Sequence, residues 1–259
     1  MTTAAQRWAD ELAAWAIPDH IMAQAPESPW EFSPALFRGP PPEPGPETLS
    51  QRRAKETLPE GGSVLDVGCG GGAAGLALVP PAGRVTGFDQ SAELLAIFSE
   101  RAGELGVEHE VVQGDWPEDA GAVGPADVVV CHHVAYNVPG LADFALALSS
   151  HARARVVMEL SEHHPRFYLN DVWRHFWDAE RPEGPVADDA VAVLVEAGIR
   201  PQVERSARQP RSIPREARVA SVRRYLCLPA DRDPEIDALL GDDSLPPGQV
   251  VTLSWQGTA

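Results

Sequence analysis

With 259 residues, 44% of them hydrophobic, the chain can fill a packed core, and its formal net charge of −17 disfavours general binding to a phosphate backbone. It has a single lysine, Lys55, so no G-K-[ST] phosphate loop exists. Its three cysteines, Cys69, Cys131 and Cys227, are odd in number and widely spaced, which points to neither a disulfide scaffold nor a structural zinc site.

The N-terminal stretch MTTAAQRWADELAAWAIP lacks the basic start and long apolar run of a signal peptide. No run of about 18 apolar residues occurs, so the expectation is a soluble, cytoplasmic protein without membrane contact. The arginine-dominated, Ala-, Pro- and Gly-rich composition is similar to that of high-GC bacterial proteins. Residues 1 to 37 read as helical segments, with Trp8, Leu12, Trp15 and Ala16 near helical spacing. Within them APESPWEFSPALF is too apolar for a free linker and too broken by proline for one helix. RGPPPEPGP (38–46) is a linker by composition, and 47–57 suits a short helix. Residues 1–46 are thus expected to form an extension, one candidate for a substrate lid, ahead of a domain spanning 47–259.

A strict alternation follows. Strands are predicted at GSVLDVG (62–68), RVTGFD (84–89), EHEVVQGD (108–115), ADVVVCHH (126–133) and ARVVMEL (154–160). Helices are predicted at AAGLALV (73–79), SAELLAIFSERAGEL (91–105) and LADFALALSS (141–150), the second with Ser91 as N-cap and Leu94, Leu95, Phe98 and Leu105 on one side. An aromatic-rich insertion at about 161–184, with Trp173, Phe176 and Trp177, interrupts the rhythm. It and the Trp30 and Phe32 segment read equally as a lid, as core staples or as a dimer contact. A helix at 187–198, a strand at 199–207, helices at 214–226 and 233–240 and a last strand at 249–255 complete the chain. The fold class is α/β: a doubly wound, mainly parallel, seven-stranded sheet with helices on both faces.

The stretch VLDVGCGGGAAG (64–75) poses the functional question. Its glycines formally match G-x-G-x-x-G, and a loop after the first strand of such a sheet lies at the ligand-binding edge. A dinucleotide would put a pyrophosphate on the loop, where Asp66 would repel it. A cofactor with a free ammonium, a sulfonium and no phosphate would welcome that carboxylate. Asp89, ending the second strand, suits ribose hydroxyls under either reading. Asp115 beside Trp116 suits the amine and the face of an adenine.

These segments resemble the motifs of class I S-adenosylmethionine-dependent methyltransferases. VLDVGCGGG resembles the first motif, VTGFDQSAELL the second, VVQGDWPED the third and ADVVVCHHVAYNV the fourth, in order across roughly residues 47–160. The resemblance implies that Gly68, Cys69 and Gly70 run under the methionyl part with Asp66 near its ammonium. It implies Asp89 on the ribose, Gln90, Asp115 and Trp116 around the adenine, and backbone at Cys131 and His132 facing the methionine moiety. Gly71 departs from the family, which often has Thr or Ser there.

Methyl transfer needs a base only where the acceptor must lose a proton, and histidine serves at neutral pH. His132-His133 and His163-His164 follow the fourth and fifth strands. Alternation sends at most one of each pair into the pocket, and His133 is the favoured base, with His132 second and Tyr136 and Asn137 as polar lining. The alternative is that these histidines only cap strand ends. No metal-ligand spacing is recognised, so no metal is expected. The leading expectation is a methyltransferase acting on a small-molecule O or N atom, with a homodimer compatible with the sequence. Alternatives are a protein or tRNA methyltransferase, a non-catalytic S-adenosylmethionine-binding protein, or an NAD-dependent oxidoreductase. No N-P-P-Y tetrad follows the fourth strand, which argues against exocyclic base amines.

Overall fold

The computed structural model describes residues 2–29, 46–208, 214–241 and 248–259. Its centre is a seven-stranded sheet in the order β3-β2-β1-β4-β5-β7-β6. The strands are β1 (Ser63–Val67), β2 (Arg84–Asp89), β3 (Glu108–Gln113), β4 (Ala126–His132), β5 (Ala152–Ser161), β6 (Gln202–Ala207) and β7 (Gln249–Gln256). The first five are parallel, and β7 runs antiparallel to both β5 and β6. The expected fold class is therefore the observed one.

The central strands are continuous apolar runs because helices cover both their faces. Val64, Val85, Val128, Val130 and Val157 meet Ala54 of α3 (Leu49–Lys55) and Leu95, Phe98 and Ala102 of α4 (Ala92–Leu105). The alternate residues Leu65, Val67, Val129, Val156 and Met158 meet α5 (Leu141–His151) and α7 (Ala187–Glu196). The N-terminal helix α1 (Ala4–Ala13) joins this second face. Its Trp8 is fully buried and donates from Nε1 to the Val138 carbonyl at 2.8 Å.

Two readings need correction. Residues 73–79 form turns and a single 3₁₀ turn, Leu76–Leu78, and no α-helix. Gly72 sits at φ +86°, outside helical backbone, and Pro80 drives Val79 to φ −96°, ψ 120°. Too few residues remain between these two breaks to propagate a helix. Leu105 is 51% exposed, because α4 closes one residue later at left-handed Gly106; Ile97 and Ala102 are buried instead.

A third cluster forms a helical cap. Ile21 of α2 (Asp19–Met22), Val172 and Trp173 of α6 (Asn170–Trp177), Val219, Val222 and Tyr225 of α8 (Arg215–Tyr225) and Ile236 of α9 (Asp233–Leu240) pack together. The segment after β5 and the segment between β6 and β7 both contribute. Since β6 runs in the same direction as β5, both leave the sheet at its carboxyl edge. Trp173 is fully buried and Trp177 donates from Nε1 to the Leu226 carbonyl at 2.9 Å, so these aromatics are the staples of the cap. Trp15 ties α1 to it, stacking on His164 at 3.8 Å and donating to the Gly184 carbonyl at 2.6 Å. Trp30 and Phe32 lie outside the described residues. Among the described residues no helix is long and apolar enough to cross a membrane.

Candidate active site

The strand order reverses between β1 and β4, which opens a crevice at the carboxyl edge. Residues 68–75 cross it. Gly68, Gly70 and Gly72 all have positive φ, at +68°, +51° and +86°. A Cβ on Gly68 would stand 2.4 Å from Val134 Cγ2, so the turn needs glycine for space as well as conformation.

Most of the loop's amides face inward. Gly68 and Cys69 donate to the Phe88 carbonyl, Gly72 to Cys69 and Leu76 to Gly72. Gly70 donates to Asp89 Oδ2 at 2.9 Å and Gly75 to Asp66 Oδ2 at 2.7 Å. Cys69 directs its thiol into the core, where burial and the charges of Asp66 and Asp89 push it far above the ordinary thiol range, so only its backbone is offered to the crevice.

Asp66 is buried on the α3–α4 face of β1. Its Oδ1 has no hydrogen-bond partner in the structure, and burial lifts its carboxyl to about 7, against the pull of the Gly75 amide. Asp89 ends β2, half-buried, and its Oδ1 accepts from the Ser91 amide at 2.9 Å. Each oxygen thus takes one backbone donor and keeps capacity for another. Gln90 and Asp115 are exposed beside it. Trp116 is turned towards α5: its Nε1 donates to the Phe144 carbonyl at 3.3 Å and its ring meets Phe88 and His151 edge-on.

β4 delivers the histidines. Cys131 is fully buried. His132 Nε2 is buried without a partner, and burial lowers its ring to about 4. His133 has left-handed backbone, φ 60°, a conformation that costs a non-glycine residue on the order of 1 kcal/mol and recurs at active sites. Its ring is half exposed, and its Nε2 lies 3.2 Å from Glu159 Oε1. The other carboxylate oxygen, Oε2, accepts from Ser50 Oγ at 2.6 Å. Burial raises the Glu159 carboxyl, but the hydrogen bonds from His133 and Ser50 and the nearby imidazoles outweigh it and hold it down at about 2.

Glu159 and Ser50 were not among the sequence candidates. The available signal was a lone carboxylate in the otherwise apolar end of β5. Tyr136, expected as polar lining, is buried between Trp8 and His164 and donates to the Ser161 carbonyl at 2.9 Å, while Asn137 is exposed. His163 stacks on Phe167 and His164 on Trp15, so this second pair packs the cap on the sheet.

Residues 64–155 match the family described as "Methyltransferase domain". Over this stretch, from β1 into β5, the chain is similar to the class I S-adenosylmethionine-dependent methyltransferases. A "Ubiquinone biosynthesis O-methyltransferase" of Cronobacter sakazakii is 42% identical over 80 residues, 30% of this chain and 33% of that protein. One of Aeromonas salmonicida is 32% identical over 112 residues, covering 42% and 47%. The chain thus spans between a third and a half of the length of these curated relatives. In fold, the chain is similar to the YcgJ protein of Bacillus subtilis (TM-score 0.55, 17% identity, 82% of this chain and 97% of that one). It is also similar to magnesium protoporphyrin IX methyltransferase of Synechocystis, solved with bound S-adenosylhomocysteine (TM-score 0.51, 14% identity, 83% and 90%).

The site's own chemistry fits the family's cofactor. Asp66 and Asp89 offer carboxylate acceptors beside the loop, of the kind a cation and a diol require, and Asp66 has an orphaned oxygen. A pyrophosphate would need donors, but the loop amides named above are committed inward.

Proposed function

We propose that the protein uses S-adenosylmethionine to methylate a hydroxyl of a small-molecule acceptor. Bound S-adenosylmethionine supplies an electrophilic methyl group on a sulfonium. Gly68, Cys69 and Gly70 would pass their backbone beneath the methionyl part, with Asp66 accepting from the ammonium and Cys131 and His132 presenting backbone to it. Asp89 would accept from the ribose hydroxyls, and Gln90, Asp115 and Trp116 would border the adenine.

The observation that carries the acceptor assignment is the His133–Glu159 pair at the adjoining ends of β4 and β5. An imidazole held by a buried carboxylate accepts a proton and stabilises the resulting charge. Amines and thiols need such a base less than a phenolic or enolic hydroxyl does. The cap over the carboxyl edge would exclude water and select the acceptor. The printed function of the relatives, an O-methylation, supports the same class of acceptor.

The experiment is transfer of isotope-labelled methyl from S-adenosylmethionine to a panel of small phenols, anilines and thiols. Labelled phenol ethers are the expected product, and His133→Gln should reduce their formation about 100-fold. Label on amines or thiols alone would overturn the hydroxyl assignment.

A further inference from the structure

The base does not stand alone. The His133 amide donates to the Glu159 carbonyl at 2.7 Å, so main chain and side chain of the two residues are tied together. Ser50, on the first turn of α3, caps the far oxygen of the carboxylate, and Thr48 Oγ1 lies 3.0 Å from Ser50 Oγ. The chain Thr48–Ser50–Glu159–His133 therefore runs from α3 across β5 to β4.

The chemistry of this chain fixes where the protons are. An ionised carboxylate only accepts, so the Ser50 hydroxyl and His133 Nε2 must both donate to it. In the neutral ring, His133 then carries its hydrogen on Nε2 and a lone pair on Nδ1. The other charged or polar groups on the elements packed around this point are engaged elsewhere or uncharged. From α3, Arg53 is paired with Glu204 of β6 and with Glu56. From β5, Arg155 is paired with Glu56. From β7, Thr252 lies opposite Glu159 in register, and from β4, His132 is held neutral by burial.

We propose that Glu159 and Ser50 are positioning residues that hold His133 as the Nε2–H tautomer with Nδ1 free to take a proton from an acceptor hydroxyl. This rests on reading the site as one of methyl transfer. In the step, the acceptor O–H bond breaks, an N–H bond forms at Nδ1, and the electron pair stays on the acceptor oxygen. The imidazolium then lies against the Glu159 carboxylate. Glu159 touches neither acceptor nor cofactor; it acts through His133.

The test is nitrogen-15 NMR of the histidine rings at pH 8 in the full chain, with His133 assigned from its loss in His133→Gln. Native protein is expected to show His133 almost wholly as the Nε2–H tautomer. Glu159→Gln should make the Nδ1–H form a major species, and Glu159→Asp should restore much of the native pattern. Ser50→Ala, which leaves the carboxylate in place, should give an intermediate loss and serves where Glu159→Gln fails to fold. A native Nδ1–H tautomer, or an unchanged pattern in both Glu159→Gln and Ser50→Ala, overturns the proposal. Titration of the same samples with S-adenosylhomocysteine reads the underlying assignment separately, because a protein that binds none fails there whatever its tautomer.

Discussion

The Gly75 amide donates to Asp66 Oδ2 at 2.7 Å, and a Cβ placed on Gly75 would stand 2.9 Å from that same oxygen. The loop is thus packed directly on the carboxylate that faces it. Gly75→Ala should force the two apart and lower stability by about 1–3 kcal/mol, read as a shift in urea midpoint. Gly68→Ala should cost at least as much, since it adds a left-handed backbone penalty to the contact with Val134.

The ionisation of Asp66 makes a signed prediction. Burial lifts its carboxyl from 3.8 to about 7, so between those values the folded protein holds a proton that the unfolded chain releases. Its contribution to stability is full below pH 4 and is lost as pH rises to 7. His132 and His164 act in the opposite sense. Burial lowers them from 6.5 to about 4 and about 3, so their contribution is present above 6.5 and lost as pH falls. Asp66→Asn should remove the opposing term and steepen the rise of stability between pH 4 and 6.5 by up to about 1.4 kcal/mol per pH unit. Urea melts of both proteins at pH 5, 6 and 7 measure this. Parallel curves would show that Asp66 does not titrate in this range.

Asp89 takes the Gly70 and Ser91 amides and so organises the loop while facing the crevice. Asp89→Ala should weaken S-adenosylhomocysteine binding at least tenfold, and Asp89→Asn, which keeps only one good acceptor, somewhat less. Unchanged affinity in Asp89→Ala would remove it from the cofactor site.

What was legible in the sequence follows from how each signal is carried. β1, β4 and β5 announce themselves because burial on both faces demands unbroken apolar runs. The glycine loop and the acidic strand ends Asp66 and Asp89 were legible because their chemistry is local. The 73–79 segment was misread because its apolar residues satisfy helical spacing, while Gly72 and Pro80, just outside, set the backbone. Glu159 was missed for a different reason: its partner Ser50 is 109 positions away, and only the fold brings α3 over β5. The cap was half legible. The aromatics after β5 stood out, but α8 and α9 gave no sign that they complete the same cluster.

Trp173 tests that cluster. It is fully buried, beneath the Arg181 guanidinium at 4.6 Å and against Tyr225. Trp173→Ala should cost about 3–5 kcal/mol and loosen the cap ahead of the sheet. Hydrogen exchange should therefore rise in α6 and α8 while the amides of β1 and β4 stay protected. Uniform loss of protection would mean that cap and sheet unfold as one.

The central claim is that the loop between β1 and β2 serves a cationic nucleoside and no pyrophosphate. Calorimetric titration of the protein with S-adenosylhomocysteine, and separately with NAD and NADP, tests it most directly. Micromolar binding of S-adenosylhomocysteine with no heat from either dinucleotide is the predicted result. Binding of a dinucleotide in its place would contradict the account, because the amides that the loop spends on Phe88, Asp89 and Asp66 could not serve its pyrophosphate and Asp66 would repel it.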